Sequence, residues 1–407
     1  MLLFPKARVF AALGAAAIFV ALGIMPVDGI LPSVNWNVIM MIGGTMGTVS
    51  LFIDSKMPAL MADVIIEKMP DMRWTVVALS VFAGVISAFV DNVATVLMIA
   101  PVAIMIAKKL DISPVPSIIA IAVASNLQGA ATLVGDTTSI LLGGYAGMNF
   151  LDFFFMDGKA GLFWIVEIGA LAATVVLFII FRKSREKVTR VGRTEVTDYF
   201  PSFLMAATLL LLIAASFIND RPPLTNGIIC LGVFVVGILR EIFSGKHRGR
   251  VWKAFKELDY QTLLLLIGLF IVIDGITRVG VIDAIASLFV RISGDSRFLA
   301  YTIIVWVSVL FSAFIDNIPY VATMLPVVTG IAAGMGVDPK LMYFGLLIGA
   351  TLGGNLTPIG ASANITALGI LRREGYNVKT SEFTRIGVPY TLTAVIVGYI
   401  LTWLIWA

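Results

Sequence analysis

The sequence predicts an all-α polytopic membrane protein built from two inverted-topology repeats, each with a re-entrant helical hairpin and a broken transmembrane helix. Three observations lead there. Of 407 residues, 59% are hydrophobic and 13% charged, with a mean hydropathy of +0.99. Soluble domains carry about 25% charged residues, so lipid must be the solvent for most of this chain. Apolar runs long enough to span recur along the chain, and a polar motif inside them occurs twice at a fixed spacing.

Uninterrupted runs of spanning length fall near 9–25, 36–54, 161–181, 199–217, 224–239, 260–276 and 386–406. The regions 74–108 and 299–334 are apolar but broken in the middle, and 116–148 and 341–371 are interrupted by Gly- and Thr-rich stretches. Segments 57–68 and 281–292 read as amphipathic helices at the membrane surface. Lys6 and Arg8 ahead of the run Val9 to Met25 imitate a signal peptide. We read it as a retained first helix, because many spans follow.

Charge placement gives the orientation. The loop 182–197 carries Arg182, Lys183, Arg185, Lys187, Arg190 and Arg193. The loop 240–259 carries Arg240, Lys246, Arg248, Arg250, Lys253 and Lys256. Both read as cytoplasmic by the positive-inside rule. The expectation is a multi-pass protein of the plasma (inner) membrane, N-terminus cytoplasmic and C-terminus outside. This count requires 74–108 and 299–334 to enter and return on one side. The basic residues sit in loops rather than on one face, which excludes a nucleic-acid partner. One cysteine (Cys230) and one histidine (His247) exclude a disulfide framework and a Cys/His metal site.

The repeat is explicit. Ser87-Ala88-Phe89-Val90-Asp91-Asn92 recurs as Ser312-Ala313-Phe314-Ile315-Asp316-Asn317, 225 residues on. The same offset relates Gly43 to Gly268, Pro101 to Pro326, Gly129 to Gly354, Thr132 to Thr357 and Gly135 to Gly360. The first copy opens with a span running inward and the second with one running outward, so the copies are inverted, the architecture of alternating-access transporters. The chain divides into an N-terminal helix (1–30), repeat 1 (31–158, hairpin 74–108, broken helix 116–148), connecting helices and loops (159–257), repeat 2 (258–372, hairpin 299–334, broken helix 341–371) and a C-terminal helix (373–407).

The candidate chemistry sits at the breaks. Asp91-Asn92 and Asp316-Asn317 interrupt apolar regions, where a carboxylate is costly and functional by default. Asp is also a good N-cap, and one oxygen can cap a helix while the other faces a cation or proton. The unwound segments supply Gly129, Thr132, Gly135, Asp136 and Thr137 in the first copy, and Gly354, Asn355, Thr357, Gly360, Ser362 and Asn364 in the second. Unwound carbonyls and side-chain oxygens suit a cation, and a resuming half-helix suits an anion. Asp136 has Ala361 as its mate, so it either carries a proton or coupling cation or caps the helix that resumes at Thr137. Asp54, Glu167 and Asp274 lie near span ends and read as snorkelling side chains. No cofactor is implied; the coupling ion is Na+ or H+, and the only metal expected is Na+ at Asp91, Asn92, Asp316 and Asn317.

At these motifs the chain resembles the ion transporter superfamily, on the branch of arsenite permeases, D-type sodium/proton antiporters and the pink-eyed-dilution protein, and more distantly the divalent anion:sodium symporters. The Ser-Ala-Phe-Val-Asp-Asn tip, the Gly-Ala-Ala-Thr-Leu-Val-Gly-Asp segment and Gly-Gly-Asn-Leu-Thr-Pro-Ile-Gly-Ala-Ser-Ala-Asn carry the match. The resemblance implies a scaffold domain, a mobile transport domain, elevator-type movement and a homodimer. Dicarboxylate symporters of that superfamily have Ser-Asn-Thr tips where this chain has Asp-Asn, and a lone cysteine argues against arsenite carried on thiols.

Four functions are then in play. One is a secondary active transporter, not an enzyme, that couples a small inorganic ion or metalloid, such as arsenite or Na+, to H+ or Na+. Another is a Na+-coupled di- or tricarboxylate symporter on the same fold. An intramembrane aspartyl protease would need two facing carboxylates sharing a proton, and a Gly-x-Gly-Asp signature does not occur. An ion channel shares the motifs but would conduct without coupling.

Overall fold

The structure is a computed structural model that describes residues 7–188, 192–244, 248–294 and 296–407. Lys6, Arg190, Lys246 and His247 lie outside the described residues.

Helix α1 (Arg8–Ala21) leads through a short α2 (Ile30–Ser33) into α3 (Trp36–Asp54) and α4 (Met57–Ile66). The hairpin α5 (Met72–Ser87) and α6 (Asn92–Lys109) follows. Then α7 (Val115–Gln128) unwinds through a 3-10 turn, Gly129–Ala131, and the chain resumes as α8 (Thr137–Ala146). Helices α9 (Leu162–Ile180), α10 (Phe200–Ser216), α11 (Thr225–Ser244) and α12 (Arg248–Glu257) connect the halves. The second copy begins with α13 (Tyr260–Arg278) and α14 (Val281–Ser293), followed by the hairpin α15 (Arg297–Ser312) and α16 (Asn317–Gly334). Next, α17 (Lys340–Leu347) runs into a π-helical stretch, Ile348–Leu352, and a 3-10 turn, Gly354–Leu356, before α18 (Ser362–Arg373); α19 (Thr380–Trp406) ends the chain.

Among the described residues, seven helical stretches are long and apolar enough to cross a membrane: Trp36–Asp54, Asn92–Lys109, Leu162–Ile180, Thr225–Phe243, Gly249–Arg278, Asn317–Gly334 and Thr380–Trp406. The protein is therefore an integral, multi-pass membrane protein. Two of the seven are α6 and α16, the second arms of hairpins that pack on their first arms, α5 and α15. Of the shorter apolar helices, α10 with 17 residues is at the lower end of the ~17–25 that a span uses, and α1 has 14.

The duplication is visible in the helix limits. Both arms of the first hairpin begin and end 225 residues before those of the second, and α8 and α18 start with the same offset. Upstream the offset is 224: α3 corresponds to α13, and α4 to α14 at its first residue. The second copy thus carries one additional residue between the start of α14 and the start of α15. This corrects the pairing of Gly43 with Gly268; the structural mate is Gly44. A Cβ on Gly44 would meet the main chain of Cys230 and Leu231 at 2.4 Å, and one on Gly268 the main chain of Ala12 and Leu13 at 3.0 Å. Gly43 meets nothing nearer than Leu263 at 4.0 Å. These paired contacts seat α11 against α3 and α1 against α13.

The mates α3 and α13 run antiparallel. Ser50, near the end of α3, donates to Glu257 Oε2 (2.5 Å) just ahead of α13. Asn35, just ahead of α3, shares a groove with Asp274 and Thr277 near the end of α13.

Two local readings need amending. A small β-hairpin, β1 (Phe155–Met156) and β2 (Lys159–Ala160), lies between α8 and α9, with Phe155 opposite Ala160. Its turn residues Asp157 and Gly158 have φ of 53° and 73°, the left-handed pair that a two-residue hairpin turn requires. The segment 240–259 is also not a loop throughout. Helix α11 continues to Ser244 and α12 occupies Arg248–Glu257, with Lys253 pairing both Asp54 and, one turn along, Glu257.

Candidate functional site

Four helices start at one place. Asn92, Thr137, Asn317 and Ser362, the first residues of α6, α8, α16 and α18, all line a single cavity of about 400 Å³. Each break leaves N–H groups unpaired at a helix start, and each start carries a partial positive charge. Three of the four are answered by a carboxylate. Asp91 Oδ1 accepts from Val93 N (3.0 Å) and Ala94 N (3.1 Å). Asp316 Oδ1 accepts from Ile318 N (3.1 Å). Asp136 Oδ1 accepts from Thr137 N (2.7 Å). The fourth start, α18, has Ala361 in the capping position and no side-chain cap.

The second oxygens differ. Asp136 Oδ2 accepts the Thr138 hydroxyl (2.8 Å), with Asn317 Nδ2 at 3.5 Å. Asp316 Oδ2 is held by Arg8 Nη1 at 2.6 Å. Asp91 Oδ2 has no hydrogen-bond or ion-pair partner among the described residues, and Asp91 lines the cavity. Capping and an open oxygen therefore coexist at Asp91.

The remaining predicted residues brace the breaks. The hydroxyls of Thr132 and Thr357 donate to the carbonyls of Ala88 and Ala313, one in each copy, tying each unwound segment to the hairpin beside it. Gly135 and Gly360 sit where these strands cross. A Cβ on Gly135 would lie 2.6–2.8 Å from the carbonyl oxygens of Gly129, Ala88 and Ser87, and one on Gly360 2.5–2.8 Å from those of Gly354, Ser312 and Ala313. Gly129 faces the Asp136 Cβ and Gly354 the Ala361 Cβ. Asn355 donates to Val123 O (2.9 Å), and Asn126 to Thr351 O (2.8 Å), so each broken helix binds the main chain of the other. Asn92 Nδ2 donates in turn to Asn126 Oδ1 (2.9 Å). Asn364 Nδ2 lies 3.3 Å from Gly354 O, Asn355 Oδ1 and Thr357 O, and its own Oδ1 is buried without a partner. Thus Asp91, Asn92, Asp136, Thr137, Asn317 and Ser362 face the cavity, Asp316 adjoins it through Asn317, and the others form its frame.

Sequence reasoning missed the far wall. Ser50 from α3, Glu257 from the end of α12, and Asp259 and Thr262 at the start of α13 line the same cavity. Asp259 caps α13 through Thr262 N (3.0 Å) and binds the Thr262 hydroxyl (2.6 Å). Counting Asp91 and Asp136, four carboxyl groups line the cavity, and none of its described lining residues is Lys or Arg. The available signal was Asp259 beside Thr262, a capping pattern that counterparts Asn35 ahead of α3. The carboxylates read as snorkelling are otherwise engaged: Asp54 pairs with Lys253, Asp274 with Arg278 (2.8 Å), and Glu167 accepts from Gln128 Nε2 (2.7 Å) beside the first break.

Paired hairpins and broken helices meeting around a polar cavity, inside a chain of membrane-length apolar helices, define a membrane transporter. The chain belongs to the CitMHS citrate transporter family, within the ion transporter superfamily; the family model matches residues 1–349. An uncharacterized transporter of Mycobacterium tuberculosis is 32% identical over 407 residues, covering 98% of this chain and 94% of the relative. The P protein of Sus scrofa is 27% identical over 400 residues, covering 79% of this chain and 47% of that longer protein. Among solved structures, the YdaH transporter of Alcanivorax borkumensis shares the fold at 14% identity and a TM-score of 0.64, covering 97% of this chain and 96% of that one. Neisseria gonorrhoeae MtrF, described as one of a class of antimetabolite efflux pumps, shares it at 13% identity and a TM-score of 0.57, covering 92% and 84%.

Proposed function

We propose that this chain is a secondary active transporter that moves a small cation in exchange for, or together with, H+ or Na+, and that the cation binds at Asp91. One observation carries the reading. Asp91 uses one oxygen to cap α6 and presents the other to a cavity with four carboxyl groups and no described basic side chain. A site of that sign favours a cation or proton and opposes a bare anion. Na+ is the simplest cargo; thiol-based arsenite carriage has no support, because Cys230 is buried in α11, away from the cavity lining.

The copies act as inverted repeats that exchange conformations for alternating access. The cavity adjoins the junction of α12 and α13, within the Lys/Arg-rich segment that the positive-inside rule assigns to the cytoplasm. The conformation is then inward-facing, with the N-terminus inside and the C-terminus outside. By resemblance, the hairpins and broken helices move as one body against a scaffold that includes α10 and α11, in a homodimer.

The test is uptake of 22Na+ into proteoliposomes under an imposed pH gradient. Asp91→Asn, which keeps the capping oxygen, is expected to reduce uptake at least tenfold; full uptake by this variant removes the reading. A second reading, citrate carriage, is favoured by the family and by the uncapped start of α18, where Ser362 lies at an unopposed positive helix end. A tricarboxylate would need accompanying cations to enter beside four carboxyl groups. Thermal stabilisation by citrate together with Na+ or a divalent cation, beyond that given by the cation alone, would favour this reading.

A further inference from the structure

The two hairpin tips are built alike and filled differently. At each, Oδ1 of the aspartate caps the second arm. At the first tip, Asp91 Oδ2 is left to the cavity. At the second, Asp316 Oδ2 receives Arg8 Nη1 at 2.6 Å. Arg8 belongs to neither hairpin. It is the first residue of α1, and α1 is fixed against α13 by the backbone approach at Gly268 and by Phe19 over Gly275. Both partners are mostly shielded, with side-chain exposures of 29% for Arg8 and 14% for Asp316, so the pair is screened less than an exposed one.

We propose that Arg8 is a resident cation: its guanidinium occupies at the second tip the place that an exchangeable cation occupies at the first. This rests on the reading of Asp91 as a cation site and adds two consequences. The tip at Asp91 is the exchangeable one in this conformation, so two acidic tips do not mean two bound ions. And because Arg8 rides on the α1–α13 pair while Asp316 rides on α16, any displacement of the hairpin relative to α1 withdraws the guanidinium. The second tip is then open to solution cations only in the other state.

The experiment measures thermal unfolding of the detergent-solubilised full chain in choline chloride, with NaCl or guanidinium chloride added over 0 to roughly 20 mM, below denaturing levels. Arg8→Ala and Arg8→Gln leave Asp316 without its partner. Each is expected to gain a saturable rise in Tm, on the order of 2 °C, on adding Na+ or guanidinium. This rise comes on top of the Na+ response that wild type shows through Asp91; Arg8→Lys shows only the wild-type response, and the added rise is abolished in Arg8→Ala/Asp316→Asn. No new cation-dependent shift in the single variants, or the same shift in the double variant, overturns the proposal. If the single variants do not fold, folding of the double variant supports an uncompensated charge as the cause; failure of the double variant as well makes Arg8 a packing residue and overturns it. The outcome is separable from the transport reading, which stands or falls on Asp91→Asn.

Discussion

Gly135 and Gly360 provide a quantitative test of the crossing between each hairpin and its broken helix. An added methyl at Gly135 would meet three main-chain oxygens at 2.6, 2.7 and 2.8 Å, and one at Gly360 three at 2.5, 2.6 and 2.8 Å. Ordinary contact begins near 3.4 Å. The neighbours would have to retreat by more than half an ångström, and none is a side chain that can rotate away. Overpacking a well-filled core costs roughly 1–3 kcal/mol, and three rigid main-chain neighbours place Gly135→Ala at the upper end, about 3 kcal/mol. That corresponds to a change of roughly 150-fold in the folded-to-unfolded ratio. Gly232, inside α11, has nothing within 4 Å of its Cβ position, so Gly232→Ala should be neutral or stabilising by up to about 1 kcal/mol. Thermal unfolding in detergent, followed by tryptophan fluorescence, should rank Gly135→Ala and Gly360→Ala well below wild type and Gly232→Ala at or above it. Equal melting of all three variants would refute the crossing geometry.

Asn126→Ala should destabilise by roughly 2–4 kcal/mol, since it leaves Thr351 O and Asn92 Nδ2 buried without their partner; a loss under 1 kcal/mol in chemical unfolding would mean that the two breaks do not brace each other. Cys230, fully buried in α11, should resist a membrane-permeant maleimide in the folded protein and label on unfolding; rapid labelling of the native chain would contradict its packing against Gly44.

The hairpins and broken helices were legible because their causes are local. Gly, Pro and Asp-Asn interrupt apolar runs, and the interruption occurs twice at one spacing. Roles were harder to read. Thr132 and Thr357 have the chemistry of cation ligands, yet their hydroxyls are committed to the carbonyls of Ala88 and Ala313. A hydroxyl in an unwound helix can serve either end, and only the fold decides. The far wall was hidden because Glu257 and Asp259 stand in a basic, polar stretch that reads as surface. Glu257 reaches Ser50 across 207 residues, and Arg8 reaches Asp316 across 308. No periodicity links such partners. The single-residue shift between the copies concealed the match of Gly44 with Gly268, and Asp157-Gly158 was a hairpin signal of ordinary strength in an otherwise helical chain.

The bond from Asn126 Nδ2 to Thr351 O joins positions one repeat apart, 225 residues. A residue that touches its own counterpart marks the axis about which the halves are related. Any site on such an axis is constrained to be compatible with itself: were the halves separate chains, one sequence position would supply both the donor and the acceptor. An amide donating to a peptide carbonyl meets that condition, because every residue type offers the carbonyl. The acceptor side can therefore be Thr351 rather than a second Asn without losing the bond, and its hydroxyl meets that of Thr138 at 2.9 Å. The two sides of this joint can differ while the bond across it is kept.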